Sequence, residues 1–195
     1  LNANNISKFM GIFNGTSNFI LSKMTHEQTT FKDALEEAQR LGFAEADPTD
    51  DVEGVDAARK VVITSYLSFN QVIKLNDVKS VGISDITLAD INAASALNYK
   101  IKSIGKGTYE NGYVNASVEP TLIHKNHQLA AVENEYNAIY VIGDAVGDTM
   151  FYGKGAGSLA TGSAVVSDLL NVALFFESNL HTLPPHFELK TEETK

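Results

Sequence analysis

The chain has 195 residues, 44% hydrophobic and 20% charged, which is enough for one well-cored domain with an appendage. Its net charge of −9 argues against a nucleic-acid surface and against an anionic membrane partner. With no cysteine it has no disulfide, no thiolate nucleophile and no cysteine-zinc site, and it fits a cytoplasmic setting.

In chain order, the apolar run from Ile6 to Phe13 ends in Asn14-Gly15-Thr16. It predicts a strand, a turn and then a short helix from Phe19 to Met24, capped by Ser17-Asn18. Thr30 to Leu41 is a helix with Phe31, Ala34, Leu35, Ala38 and Leu41 on one face, stopped by Gly42. A loop follows, because Pro48 donates no backbone hydrogen bond and biases Asp47 away from helix. A long helix from about Asp51 to Phe69 is expected next, with Gly54 tolerated in its first turn. From Asp33 to Asp56 the chain carries nine acidic residues and one base, Arg40.

Asn76 to Ser84 reads as a short strand and turn, and Asp85 to Ala96 as a helix capped by Asp85 or Thr87. Tyr99 to Thr108 and Tyr113 to Ile123 alternate at period two around Glu110-Asn111-Gly112, which predicts a hairpin with Pro120 at an edge or strand end. Ala138 to Asp144 is a further strand, continued by Thr149 to Tyr152. Gly153-Lys154-Gly155-Ala156-Gly157 then opens a helix from Ser158 to Phe176 whose only charge is Asp168, apolar nearly all round. The sequence is read as lacking any run near the roughly 18 apolar residues of a membrane span, and as lacking a signal peptide. Residues 177–195 read as a polar tail. The fold class expected is α/β (α+β in some schemes), a mixed sheet with helices packed on one side.

By spacing alone, Asp56 and Lys60 are an ordinary i,i+4 ion pair. The whole string Gly42-Phe43-Ala44-Glu45-Ala46-Asp47-Pro48-Thr49-Asp50-Asp51-Val52-Glu53-Gly54-Val55-Asp56-Ala57-Ala58-Arg59-Lys60 is more specific. It resembles the homoserine dehydrogenase signature G-[YF]-x-E-x-D-P-x-x-D-x-x-G-x-D-x-x-x-K and fills every fixed position. Gly11-Ile12-Phe13-Asn14-Gly15-Thr16-Ser17-Asn18 resembles the family's G-I-x-N-G-T-x-N segment, and Tyr152 to Gly157 resembles the stretch that passes near the nicotinamide.

The resemblance implies the substrate-binding, catalytic and dimerisation portion (residues 1–153) of an NAD(P)-dependent enzyme that interconverts aspartate semialdehyde and homoserine. It implies Lys60 as general acid, and base in reverse, with Asp56 orienting it. Glu45, supported by Asp51, would pair with the substrate ammonium. Gly15 and Thr16 would give neutral hydrogen bonds, and Gly155 would lie near the cofactor. Residues 154–176 would pack on a nucleotide-binding domain that these residues lack, since no G-x-G-x-x-G is present. A homodimer is expected.

No metal ligand carries over, because the family's monovalent-cation loop would precede Leu1. The second lysine that relatives place near the substrate is likewise not among these residues, and Phe43 stands where tyrosine is frequent. Two other readings stay open: Asp47, Asp50, Asp51 and Glu53 as a divalent-cation loop, and the chain as a non-catalytic dimerisation module.

Overall fold

The computed structural model describes residues 1 and 3–177. The chain divides into two compact units, Leu1–Gly155 and Ala156–Lys195.

The first unit is built on one six-stranded sheet of order β2-β4-β3-β1-β5-β6. Its strands are β1 (Ile6–Ile12), β2 (Lys79–Ser80), β3 (Tyr99–Glu110), β4 (Tyr113–His124), β5 (Tyr136–Gly143) and β6 (Gly147–Lys154). The β2–β4 pair is parallel and the other pairs are antiparallel, so the sheet is mixed. β3 and β4 form the long expected hairpin, in register from Tyr99↔His124 to Glu110↔Tyr113. Its turn residues Asn111 and Gly112 both have positive φ (53° and 83°), as the primed hairpin turns require. Pro120 lies in β4 beyond the two residues paired with β2, where no neighbour asks for its missing N–H.

The sheet's alternation sorts its two faces. Phe9 and Phe13 share a core with Ala57, Ala58, Val61 and Phe69 of a helix, while Ile12 and Ile104 pack with Leu129 and Ala130 of a short 3-10 turn (Gln128–Ala131) and with Val132 just after it. A third cluster, with Ile20, Leu21, Ala34, Ala38, Ile91 and Ile101, joins the remaining helices to β3. These helices are α1 (Gly15–Glu27), α2 (Phe31–Arg40), α3 (Thr49–Val52), α4 (Val55–Phe69) and α5 (Leu88–Ala96).

Several elements differ from the sequence reading. Thr149 to Tyr152 does not continue the preceding strand: Gly147, at φ +70°, turns the chain back, and these residues lie in β6, antiparallel to β5. α1 begins at Gly15, not at Phe19, because Asn14 and neither Ser17 nor Asn18 caps it. The long helix expected from Asp51 is split into α3 and α4 by Gly54, which adopts φ +78°. An added Cβ at Gly54 would meet Ser80 Oγ at 2.9 Å and Val118 Cγ1 at 3.1 Å. Gly54→Ala therefore combines backbone strain with a clash against β2–β4, and should lower stability by about 1–3 kcal/mol in urea denaturation.

The second unit is described over residues 156–177, of which α6 (Ser158–Glu177) is the helix. The stretch Ser158–Phe176 is long and apolar enough to cross a membrane by length and composition alone. That corrects the expectation that no such run exists: Thr161, Ser163, Ser167, Asp168 and Asn171 interrupt the apolar residues without making the stretch polar overall. Core helices of soluble proteins meet the same test. The tail expected at 177–195 lies, beyond Glu177, outside the described residues.

Candidate active site

β1 ends in the turn that carries the site. Asn14, 5% exposed, uses its Oδ1 to accept from Ser17 N at 2.8 Å and so caps α1. Its Nδ2 then has two donors left, and both are used. One bond goes to Asp51 Oδ1 at 2.7 Å and one to Asp56 Oδ2 at 2.9 Å. Asp56 Oδ2 also accepts from Lys60 Nζ at 2.7 Å, and Lys60 Nζ donates to the Phe13 carbonyl at 3.0 Å. One turn of α4 separates Asp56 from Lys60, as their spacing requires. The break at Gly54 lets Asp51 on α3 and Asp56 on α4 face one amide. The Lys60 side chain is 47% exposed, so its ammonium is reachable from solvent.

Thr16 Oγ1 donates to the Phe43 carbonyl at 2.6 Å and ties the start of α1 to the loop that bears Glu45. Glu45 itself is exposed, and Gln39 Nε2 donates to its carbonyl at 3.0 Å. Among the described residues its carboxylate makes no hydrogen bond or ion pair. Gly15 has almost no room behind it, since an added Cβ would lie 2.7 Å from the Glu135 carbonyl. Gly155 lies against the Asn137 amide, where a Cβ would come to 2.5 Å. Asn137 Nδ2 in turn donates to Ile12 O at 3.0 Å, two residues before Asn14.

The structure thus joins Lys60, Asp56 and Asp51 through Asn14, with Gly15 and Thr16 adjacent. It leaves the Glu45 side chain unattached. The candidate divalent-cation loop is divided among four partners. Asp47 accepts from Thr49 N (3.1 Å) and Oγ1 (2.6 Å), Asp50 pairs with Arg59 at 2.5 Å, Asp51 is held by Asn14, and Glu53 accepts from Ser84. The Thr49 hydroxyl and amide hold the Asp47 carboxyl below its ordinary value. Among the described residues no cluster of three metal-ligating side chains occurs.

Asn14 was legible as a fixed position of G-I-x-N-G-T-x-N, but not as the group that holds both carboxylates. Removing it should be felt twice. Asn14→Ala should cost about 1–2 kcal/mol of stability through the lost cap and should also lower turnover, read by denaturation and kcat in parallel.

Close behind the turn lies a buried charge cluster that the sequence reading did not single out. Lys102 of β3 is 1% exposed. Its ammonium donates to Val132 O at 2.6 Å and Asn18 Oδ1 at 3.1 Å, and pairs with Glu133 Oε2 at 3.3 Å. Lys100 also pairs with Glu133, and His26 Nε2 lies 3.4 Å from it. Burial pushes the Lys102 ammonium down to about 8, against the pull of Glu133. Burial works to raise the Glu133 carboxyl, yet attraction to Lys102 and hydrogen bonds from Lys100 and Ser22 outweigh it and hold it at about 2.

The consequences for stability have opposite pH windows. Glu133 falls from an ordinary 4.5 to about 2, so its contribution is complete above pH 4.5 and is lost as pH drops toward 2. Lys102 falls from 10.5 to about 8, so the folded state carries the burden of its buried charge below pH 8 and is relieved of it as pH rises to 10.5. Melting temperatures across pH should show a flatter acid limb in Glu133→Gln and no alkaline gain from this site in Lys102→Met.

Comparison with known proteins follows the same outline. The family model described as homoserine dehydrogenase matches residues 1–170. The homoserine dehydrogenase of Bacillus subtilis (strain 168) is 54% identical over 172 residues, covering 88% of this chain and 40% of that protein. A crystal structure of Staphylococcus aureus homoserine dehydrogenase at pH 7.5 is 87% identical, with a TM-score of 0.87 over 96% of this chain and 46% of that one. A hyperthermophilic archaeal homoserine dehydrogenase mutant, solved in complex with NADPH, is 29% identical with a TM-score of 0.74, covering 89% of this chain and 49% of that one. The fold is therefore one that dehydrogenases use. The chain belongs to the homoserine dehydrogenase family, and it spans less than half the length of these relatives.

Proposed function

We propose that this chain is the substrate-binding and catalytic portion of a homoserine dehydrogenase, which interconverts L-aspartate 4-semialdehyde and L-homoserine with NAD(P)H. The observation that carries the reading is the hydrogen-bonded series Asp51–Asn14–Asp56–Lys60. It joins two of the three segments whose sequences resemble the family's, residues 11–18 and 42–60.

The nicotinamide supplies or accepts the hydride. An aldehyde that gains a hydride becomes an alkoxide and needs a proton at its oxygen. Lys60 Nζ gives that proton, and removes the hydroxyl proton in the other direction. Asp56 holds the ammonium in place with one oxygen while Asn14 fixes that same oxygen. Asp51 keeps Oδ2 clear of the Asn14 bond, which leaves an acceptor for an amino-acid ammonium. Glu45 supplies the other carboxylate for that ammonium, being uncommitted and exposed. Gly15 and Thr16 form the neutral wall.

For the cofactor, these residues fit only in part. Gly155 offers close backbone approach beside Asn137, but no G-x-G-x-x-G turn is present to take the dinucleotide phosphates. Residues 154–176 are assigned to packing against a nucleotide-binding domain.

A cytoplasmic location suits a cysteine-free chain. A two-fold homodimer is the proposed assembly, with the apolar helix α6 as one candidate contact and the strands around 138–144 as the other.

The test is homoserine oxidation by the full-length enzyme with either cofactor, with Lys60→Ala as control. Absence of homoserine-dependent reduction would leave only the dimerisation reading. Glu45→Gln should raise the homoserine KM by about ten-fold, through loss of one charge-assisted contact, with a smaller effect on kcat. An unchanged KM would remove Glu45 from the ammonium site.

A further inference from the structure

Lys102 carries a charge where an apolar side chain would commonly serve stability as well or better. Its ammonium gathers groups from two places: Asn18 in the first turns of α1, and Val132 and Glu133 in the segment before β5. Asn18 strengthens the same junction. Its Nδ2 donates to the carbonyls of Val132 (3.2 Å), Asn134 (2.9 Å) and Tyr136 (3.2 Å). Ser22 Oγ accepts from Asn134 N at 3.1 Å. Residues 132–136 are thereby strapped to α1, and the Glu135 carbonyl of that strap is the surface on which Gly15 rests. Gly15 sits between Asn14, which holds Asp51 and Asp56, and Thr16, which holds Phe43.

We infer that Lys102 and Glu133 are positioning residues for the Asn14–Thr16 turn, fixing through segment 132–136 where the substrate wall and the Asp56–Lys60 pair stand. The inference rests on the homoserine dehydrogenase reading. Neither residue is assigned contact with substrate; both act through the backbone behind Gly15. Small displacements of positioning groups have large kinetic effects, on the order of 10²-fold for about 1 Å.

Three variants of the full-length enzyme test this: Lys102→Met, Glu133→Gln, and the two together. The single Lys102→Met leaves Glu133 without its buried partner and should melt at a lower temperature. The double variant removes both charges and should recover most of that loss. The homoserine KM should nevertheless rise by roughly ten-fold in both, with the nicotinamide KM unchanged. A double variant that melts like the parent and has the parent's homoserine KM would overturn the inference. So would an equal rise in both KM values, which marks general loosening.

If the Lys102 variants do not fold, Glu133→Gln decides alone, since its side chain is 22% exposed and keeps its shape. A homoserine KM raised by about three-fold or more, with the cofactor KM unchanged, supports the inference, and a parent-like value overturns it. Failure of the functional reading is seen separately, as a parent enzyme that does not oxidise homoserine, and the inference would fall with it.

Discussion

Lys60→Ala in the full-length enzyme should lower kcat by about 10²–10⁴-fold, the usual worth of a positioned general acid. The substitution removes the ammonium that, among the described residues, is alone in being held by both Asp56 and the Phe13 carbonyl. It should do so without unfolding the protein. Lys60 is about half exposed, and its i,i+4 bond to Asp56 is a surface pair worth only a few tenths of a kcal/mol. Asp56, whose side chain is partly exposed, keeps its bond from Asn14 and can turn to water once the ammonium is gone. A loss of turnover with an unchanged melting temperature would thus separate chemistry from stability. A variant with near-parent kcat would take Lys60 out of the mechanism, and the role of Asp56 would go with it. Lys60→Arg gives a further check. Arginine stays charged and is a poor proton donor, so it should keep substrate binding and still lack turnover.

Much of this site is visible in the sequence because its parts are local. Asp56 and Lys60 are one helical turn apart, and no tertiary information is needed to bring them together. The hairpin is equally local: Asn111-Gly112 between two alternating runs determines both turn and register. The break at Gly54 is different. A glycine in a first turn is tolerated in either a continuous or an interrupted helix. Here the choice follows from packing against Ser80 and Val118, which lie far along the chain. Asn14 shows the same limit from another side. Its type suits a cap, but its second task depends on Asp51 and Asp56 arriving 37 and 42 residues later.

Lys102 is the plainest case of information that local pattern does not hold. The alternation of β3 places Lys100, Lys102 and Lys106 on one face with Ile104, and three lysines on one face read as solvated. Lys106 does stay partly exposed and pairs with Glu119 at 2.6 Å. Lys102 is covered only because residues 128–133 fold back over that end of the sheet. Glu45 illustrates the converse. Its place in the signature is unmistakable, yet the structure shows its carboxylate without a partner among the described residues, so its role awaits the substrate.

The chain of residues 1–195, prepared by itself, should show no hydride transfer between homoserine and either nicotinamide cofactor. It contains Lys60, proposed above as the proton-transfer group, but no G-x-G-x-x-G turn at which a helix N-terminus could take the dinucleotide phosphates. Hydride transfer requires the nicotinamide carbon held against the substrate carbon, and without binding energy from the rest of the cofactor that orientation is lost. The same chain should self-associate. Taken by itself, α6 is apolar nearly all round, with Asp168 its only charge between Ser158 and Phe176. A lone helix of this composition has no core of its own in which to bury its side chains, and such surfaces draw partners. A second copy is the partner always present, and two-fold symmetry is the form that closes without growing into fibres. Sedimentation velocity at several concentrations should show a mass that rises with concentration toward a dimer. Replacing Leu169 and Val172 with glutamate should shift that equilibrium toward monomer if α6 is the contact. If the strands around Ala138 to Asp144 are the contact, the same substitutions should leave it unchanged. A chain that stays monomeric at all concentrations would defeat both interfaces, whereas measurable hydride transfer would show that the cofactor is held by residues within this chain.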